Sequence, residues 1–312
     1  MSFYKTFTNI DWYYDLKGQG QPLVFIHGWG VNHRIWRQQL KYFSLFYRTL
    51  AVDLPGHGRT RYPDAETLQS SGKKRKALRS GFRPAEFQKE RECGLRSGRL
   101  HHTVTFEDMV YGLIDIINAL ELAPVTLIGS SLGGLVAFKI YDVCPQIVRS
   151  MVFVGSHPKF AREEGYPAGL DVARIRKLAD QLELHYPNML NIFFRSLFTS
   201  RERSTRRFKW IQTFRKTDDI PDKKALLDML DILEKQDLRH VLKNIRVPVQ
   251  FVNGTQDYIC PKALFDAIKM HLPSARFDWF EHCGHFPFLS KPHEFNVVLR
   301  DFFTTQGLPQ EK

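Results

Sequence analysis

Gly129-Ser130-Ser131-Leu132-Gly133 is the stretch on which the reading of this chain turns. An apolar strand over Val125–Gly129 runs into it and a helix over Leu132–Val143 leaves it. A G-x-S-x-G pattern between strand and helix is a sharp turn that forces its central residue into a strained conformation, with the hydroxyl exposed above the sheet. Glycines on both sides let strand and helix approach where side chains would clash. The first N–H groups of the helix then face any anion that forms beside the serine. Ser131 is therefore the candidate nucleophile; Ser130 is the rival, displaced from the centre of the motif.

A serine hydroxyl is a weak nucleophile without a base. In sites of this kind the partners follow in the order serine, acid, histidine. His285, in Glu281-His282-Cys283-Gly284-His285-Phe286-Pro287, follows the last expected strand and is the candidate base, with His282 as its competitor. Asp257, in Asn253-Gly254-Thr255-Gln256-Asp257, stands just beyond a strand end, where ligands gather in parallel sheets. Its expected role is to accept the other imidazole N–H; the alternative is an ordinary turn aspartate. Two backbone donors would complete an oxyanion hole: the N–H of Leu132, and the N–H of Trp29 in His27-Gly28-Trp29-Gly30. His27 reads as a brace for that loop, and Asp53, in Asp53-Leu54-Pro55-Gly56-His57-Gly58, as part of a tight turn.

Outward from the motif, strands and helices alternate. Strands are expected at Phe3–Thr8, Trp12–Leu16, Pro22–His27, Tyr47–Asp53, Ser150–Val154, Val247–Asn253 and Ala275–Phe280. Helices are expected at His33–Phe46, Thr105–Leu122, Pro261–His271 and Pro292–Thr304, with Thr105 and Asp108 as a capping signal. The pattern predicts an α/β fold with a mostly parallel central sheet and helices on both faces. Between Ser156 and Asn244 the alternation stops and helices rich in Leu, Phe, Arg and Lys take over. The expected organisation is a core from 1–155 and 245–312, with a helical cap inserted at 156–244.

The chain has 312 residues and a formal net charge of +12. Between Glu66 and His102 stand ten basic residues against four acids, so half of that excess is local. Residues 67–102, with Gly72, Gly81, Gly94, Gly98 and the Lys73–Lys76 cluster, hold too little apolar surface to offset the entropy of ordering, and a disordered basic insertion is expected. The cluster could meet phosphates, but it is not interleaved with aromatics and sits in no nucleic-acid-binding motif, so nucleic acid is not an expected partner. No stretch of eighteen apolar residues and no signal-type leader is seen, which predicts a cytoplasmic chain without a membrane span. Cys93, Cys144, Cys260 and Cys283 show neither paired nor metal-type spacing, so free thiols and no metal are expected; Cys283 and His285 alone lack further ligands.

Taken together, His27–Gly30, Asp53–Gly58, the Ser131–Ala137 run, Asp257 and His285 resemble the α/β-hydrolase superfamily throughout. Lys17–Gly20, Trp29 with Trp36, Ser156–Phe160, Asp237–Arg239 and Phe286–Phe288 are more narrowly similar to the methyl ester carboxylesterases that act on pimeloyl-acyl carrier protein in biotin synthesis. The resemblance implies an α/β-hydrolase fold and hydrolysis of an ester without cofactor. It implies a cap whose cations hold an acidic acyl carrier protein, here Arg201, Arg206 and Arg207 among others, although no cation occurs around Pro187–Ile192. Cap aromatics, Phe193 and Phe194 foremost, would line an acyl pocket together with Trp29. A monomer is the expected state. A general short-chain carboxylesterase and a ligand-binding protein on the same scaffold remain the alternatives.

Overall fold

The computed structural model describes residues 2–61, 103–216 and 219–307. The expected disordered insertion at 67–102 lies outside the described residues, and so do Lys73–Lys76. Eight strands form one sheet: β1 (Ser2–Lys5), β2 (Asp11–Lys17), β3 (Pro22–Ile26), β4 (Arg48–Val52), β5 (Val125–Ser130), β6 (Val148–Val154), β7 (Val249–Gly254) and β8 (Arg276–Phe280), in the order β1-β2-β4-β3-β5-β6-β7-β8. From β4 to β8 all pairs are parallel; β1 and β2 close one edge antiparallel.

The central strands are buried on both faces, which is why they read as unbroken apolar runs. Leu23–Ile26, Leu50–Val52 and Leu127–Ile128 are wholly inaccessible. Across β6, β7 and β8 the register aligns Phe153 with Phe251 and Phe251 with Phe277. Their rings stack at 5.1 and 5.2 Å, and Phe138 lies on Phe153 at 3.9 Å. This ladder fixes strand register, because a one-residue slip of any one strand would turn its ring to the opposite face and break the stack.

The covering helices are α1 (Arg37–Phe43), α2 (Phe106–Ala119), α3 (Leu132–Val143), α9 (Lys262–His271), α10 (Pro287–Ser290) and α11 (Pro292–Thr304). α2 begins with the expected capping box, Thr105 Oγ1 accepting from Asp108 N while Asp108 accepts from Thr105 N. The expected single helix over 33–46 is instead a 3-10 turn at His33–Trp36 followed by α1. Asp53 accounts for the tighter start: it accepts from His33 N at 2.8 Å and pairs with His33 Nδ1 at 2.7 Å. Between β6 and β7 come α4 (Val172–His185), α5 (Asn188–Ser196), α6 (Ser200–Arg203), α7 (Arg206–Arg215) and α8 (Lys223–Lys235), with α4 packed on α8 and on α5. Among the described residues no helix is long and apolar enough to cross a membrane.

A tight crossing lies where β5 passes under α3. A Cβ on Gly129 would stand 2.5 Å from the Gly133 carbonyl oxygen and from Gly134 backbone atoms. Rigid backbone on both sides cannot yield, so overpacking cannot relax locally. Gly129→Ala is expected to destabilise the fold by about 3 kcal/mol or more, read from urea unfolding; a midpoint within error of the parent would show that the crossing is loose.

Candidate active site

Ser131 is the first residue beyond β5 and the N-cap of α3, with φ 53° and ψ −121°. A left-handed φ is costly for any residue with a Cβ, and it persists only where the surroundings over-determine it. Here Ser131 N donates to Val154 O at 3.0 Å and Ser131 O accepts from Ser156 Oγ at 2.7 Å. The turn is therefore anchored at the end of β6 through both of its backbone polar groups, leaving the Ser131 side chain to face a cavity. Ser130, the rival, is wholly buried and its Oγ is sealed in the interior.

His285 and Asp257 converge from the ends of β8 and β7. His285 Nδ1 lies 2.7 Å from Asp257 Oδ2, in a pair that is 2% and 4% exposed. The other carboxylate oxygen of Asp257 accepts from Ile259 N at 2.9 Å and Cys260 N at 3.2 Å. Both carboxylate oxygens are thus committed to donors on one side of the ring, and His285 lines the same cavity as Ser131. Behind the ring stands Gly155, at φ 53°; a Cβ there would be 2.9 Å from His285 Nδ1. His282, the competing histidine, is exposed on the outer side of the loop.

The loop carrying His285 is tied to the helical segment 156–244. His285 N donates to Leu197 O at 2.9 Å. Glu202, buried on α6, accepts from Gly284 N at 3.0 Å and from its own N-cap Thr199 N at 2.7 Å, while Cys283 Sγ donates to its other oxygen at 3.1 Å. Sequence reasoning missed Glu202, which sits unremarkably in Arg201-Glu202-Arg203; the Thr199–Glu202 capping-box spacing was the available signal.

The loop with Trp29 is held by two buried histidines. His27 Nδ1 donates to Gly28 O at 2.8 Å and its Nε2 accepts from Leu54 N at 2.9 Å. His57 Nε2 accepts from Gly30 N at 3.2 Å and its Nδ1 donates to Pro55 O at 3.2 Å. Burial pushes the His27 pKa down to about 4 and the His57 pKa down to about 3. A neutral ring can both donate and accept, whereas a protonated one would lose its acceptor and face an N–H. Trp29 Nε1 donates to Leu226 O at 2.9 Å, fastening this loop to α8. His157, also buried, lies against Phe160 at 4.3 Å, pairs with the Tyr166 hydroxyl at 3.2 Å, and has its pKa pushed down to about 3 by burial.

Ser131, His285, Trp29 and Gly28 line a cavity of ≈ 220 Å³ whose remaining wall is mostly apolar, with Phe160, Leu178, Phe193, Leu197, Leu233 and Phe286 among its residues. Among the described residues, only Arg174 and Tyr258 add polar groups of another kind, and sequence reasoning missed both. Of the residues expected at the substrate, Phe193 lines this cavity and meets Trp29 edge-on at 5.0 Å. Phe194 does not: it is turned into the packing between Phe198 and Phe286, under the Arg215 guanidinium. Arg201 and Arg207 are also elsewhere, around a second cavity of ≈ 190 Å³ on the far side of the histidine loop. Arg207 donates to Leu289 O and lies over the Trp210 ring at 4.4 Å. Arg206 is exposed and lines neither cavity.

Among the described residues, one group could offer metal-ligating atoms in close proximity: Asp257, Cys260 and His285. Its chemistry fits an acid–base pair better. Asp257 already accepts from three donors, and burial raises the Cys260 thiol well above its usual range, keeping it protonated. Cys144, Cys260 and Cys283 are free and buried.

A family model described as alpha/beta hydrolase family matches residues 23–298. A pimeloyl-[acyl-carrier protein] methyl ester esterase of Nitrosomonas europaea is 28% identical over 278 residues, covering 89% of this chain and 94% of that protein. A protein of the same name from Vibrio campbellii is 26% identical over 297 residues, covering 95% and 98%. Among solved structures, an esterase from Exiguobacterium antarcticum superposes with a TM-score of 0.77 at 22% identity, over 97% of this chain and 99% of that one, a likeness of fold.

Two outcomes follow from the geometry. Removing the Glu202 carboxylate orphans the Gly284 and Thr199 N–H groups, so Glu202→Ala is expected to lower stability by about 3 kcal/mol, measured by urea unfolding. The depressed pKa values of His27, His57 and His157 mean that the unfolded chain binds more protons than the folded one below pH 6.5. Their contribution is complete above that pH and is lost as pH falls toward the folded values. From pH 6.5 to 5.5 stability should drop by about 1 kcal/mol per histidine; a level curve across that interval would contradict the burial of neutral rings.

Proposed function

The chain belongs to the alpha/beta hydrolase family and is a serine carboxylesterase; from that premise we propose that Ser131, His285 and Asp257 carry the reaction and that its ester is pimeloyl-[acyl-carrier protein] methyl ester. The observation that carries the assignment of residues is the 2.7 Å pair between His285 and Asp257, opening onto the same cavity as a Ser131 held at φ 53°. The substrate comes from the relatives, which are named for that ester.

In this mechanism Asp257 fixes the imidazole with its proton on Nδ1, so Nε2 takes the proton of Ser131 as Oγ attacks the ester carbonyl. The oxyanion is received by the N–H groups of Trp29 and Leu132. Each such donor is worth about 2.7–4 kcal/mol of transition-state stabilisation. The imidazolium, stabilised by Asp257, then protonates the departing methoxide, and methanol leaves. Water enters, loses its proton to Nε2 and attacks the acyl-serine; collapse returns the proton to Ser131 and releases the acid. The apolar wall suits an alkyl chain, and no cofactor enters any step. The segment 156–244 acts as a cap that closes the acyl cavity.

The reading as a general short-chain carboxylesterase has one observation in its favour. Several cap cations are spent within the chain: Arg195 lies over Phe208, Arg203 bonds carbonyl groups, and Arg207 and Arg215 are turned onto Trp210 and Phe194. Arg201, Arg206, Lys209 and Lys216 remain exposed for an acidic carrier.

Methanol release from the carrier-bound ester and from neutral dimethyl pimelate separates the two. A carrier-bound preference of tenfold or more, weakening with added salt, is expected; equal kcat/KM for both substrates would favour the general esterase. Ser131→Ala should abolish release from either while leaving the urea midpoint unchanged, and Asp257→Asn should cut kcat by about 10⁴.

A further inference from the structure

Among the described residues, Arg174 is the one lysine or arginine that lines the acyl cavity. Its place there is not explained by ester hydrolysis, which uses Ser131, His285 and backbone donors, nor by holding an alkyl chain, which needs only apolar walls. It is not explained by ion pairing either. Two residues along α4, Arg176 forms a bidentate bridge to Glu234, with Nη2 to Oε1 at 2.6 Å. Arg174 makes no such pair among the described residues, and it is exposed, which places it where the cavity opens to solvent. Tyr258 comes to the same wall from the loop after β7. Its hydroxyl meets Ser196 Oγ at 2.9 Å and stands within electrostatic reach of Arg174. At the open end of an otherwise apolar cavity, a guanidinium with no carboxylate partner among the described residues thus shares the wall with a phenol whose partner is a neutral hydroxyl. Both groups can donate to an incoming anion.

We propose that Arg174 and Tyr258 form an anion subsite, so that the preferred ester carries a carboxylate or phosphate at the end of its chain remote from the scissile bond. The proposal rests on Ser131 as the nucleophile, since the subsite is defined by its distance along the substrate from that residue. The ester end lies at Ser131, the methylene chain runs past Phe193, Leu178 and Leu233, and the terminal anion is met by the guanidinium. A free dicarboxylic acid monoester carries its carboxylate at the end of the methylene chain itself; in a phosphopantetheine thioester that point is a neutral thioester carbonyl and the phosphate stands a whole pantetheine arm further out, so the two tails probe two distances from Ser131. Both present oxygens that a planar guanidinium binds through two parallel N–H bonds, and a neutral diester offers neither.

The test compares kcat/KM for monomethyl pimelate (carboxylate tail), the phosphopantetheine thioester of monomethyl pimelate (phosphate tail) and dimethyl pimelate (neutral). Parent, Arg174→Gln, Arg174→Lys and Tyr258→Phe chains are measured with each. The ratio of anionic to neutral kcat/KM should fall at least tenfold in Arg174→Gln, mainly through KM, and recover in part in Arg174→Lys. Whichever tail shows the larger fall identifies the source of the anion. An unchanged ratio in Arg174→Gln for both tails overturns the proposal. Calorimetric binding of the same three esters to Ser131→Ala, with and without Arg174→Gln, measures the subsite without turnover. A chain that binds anionic esters through Arg174 but hydrolyses none would retain the subsite and remove the esterase mechanism. Equal affinity for neutral and anionic esters in Ser131→Ala would remove the subsite alone.

Discussion

The rest of the molecule depends on the contact where β5 turns into α3 beneath Ser131. Strand and helix come together so closely that Gly129 has no room for a Cβ beside the backbone of Gly133 and Gly134, and a Cβ on Gly133 would meet Ile26 O at 2.4 Å. That contact needs a chain reversal within one residue, and the reversal puts Ser131 in the left-handed region. The cost of such a conformation is on the order of 1–3 kcal/mol. It is sustained by the hydrogen bonds to Val154 and Ser156 and by the phenylalanine ladder that locks β6 against its neighbours. The core thus holds in place a conformation that the local sequence would not adopt alone.

Around this point two loops are kept rigid by different chemistry. The Trp29 loop is held by neutral imidazoles, each using one ring nitrogen as donor and the other as acceptor. Their low pKa values have burial as the main cause. The His285 loop is held by a buried carboxylate and by the Leu197 carbonyl. A carboxylate suits that position because two backbone donors and a thiol all point at it, and an ionised acceptor satisfies several donors more strongly than a neutral one.

Much of the fold was legible because its signals are local. The alternation of strands and helices, the glycine pattern around Ser131 and the capping box at Thr105 are each set by neighbours in sequence. The proximity of His285 to Asp257 was legible because strand ends in a parallel sheet meet at one edge. What could not be read was the rotation of the later helices. Phe193 and Phe194 are adjacent and equally apolar, yet about 100° apart around α5, so only one can face the cavity. Which one does is decided by packing against Phe286, far along the chain. The same holds for the cations. Arg207 finds its partner at Leu289, 82 residues on, while Arg174, in a plain amphipathic helix, lines the cavity beside Ser131. Long cationic side chains can cover apolar surface and reach in several directions, so their destination is a tertiary property.

The hydrogen bond from Trp29 Nε1 to Leu226 O bears on how such a protein can be re-engineered. The helices of 156–244 invite treatment as an exchangeable module, to be grafted or trimmed for a new substrate. Yet one of them holds the indole of the Trp29 loop and another carries the acceptor for Gly284. A graft that matched only the shape of the cavity beside Ser131 would leave the Trp29 and His285 loops without these ties. Any transplanted segment has to bring its own equivalents of the Leu226 carbonyl and the Glu202 carboxylate, so the natural unit of exchange is the segment together with the two loops beneath it.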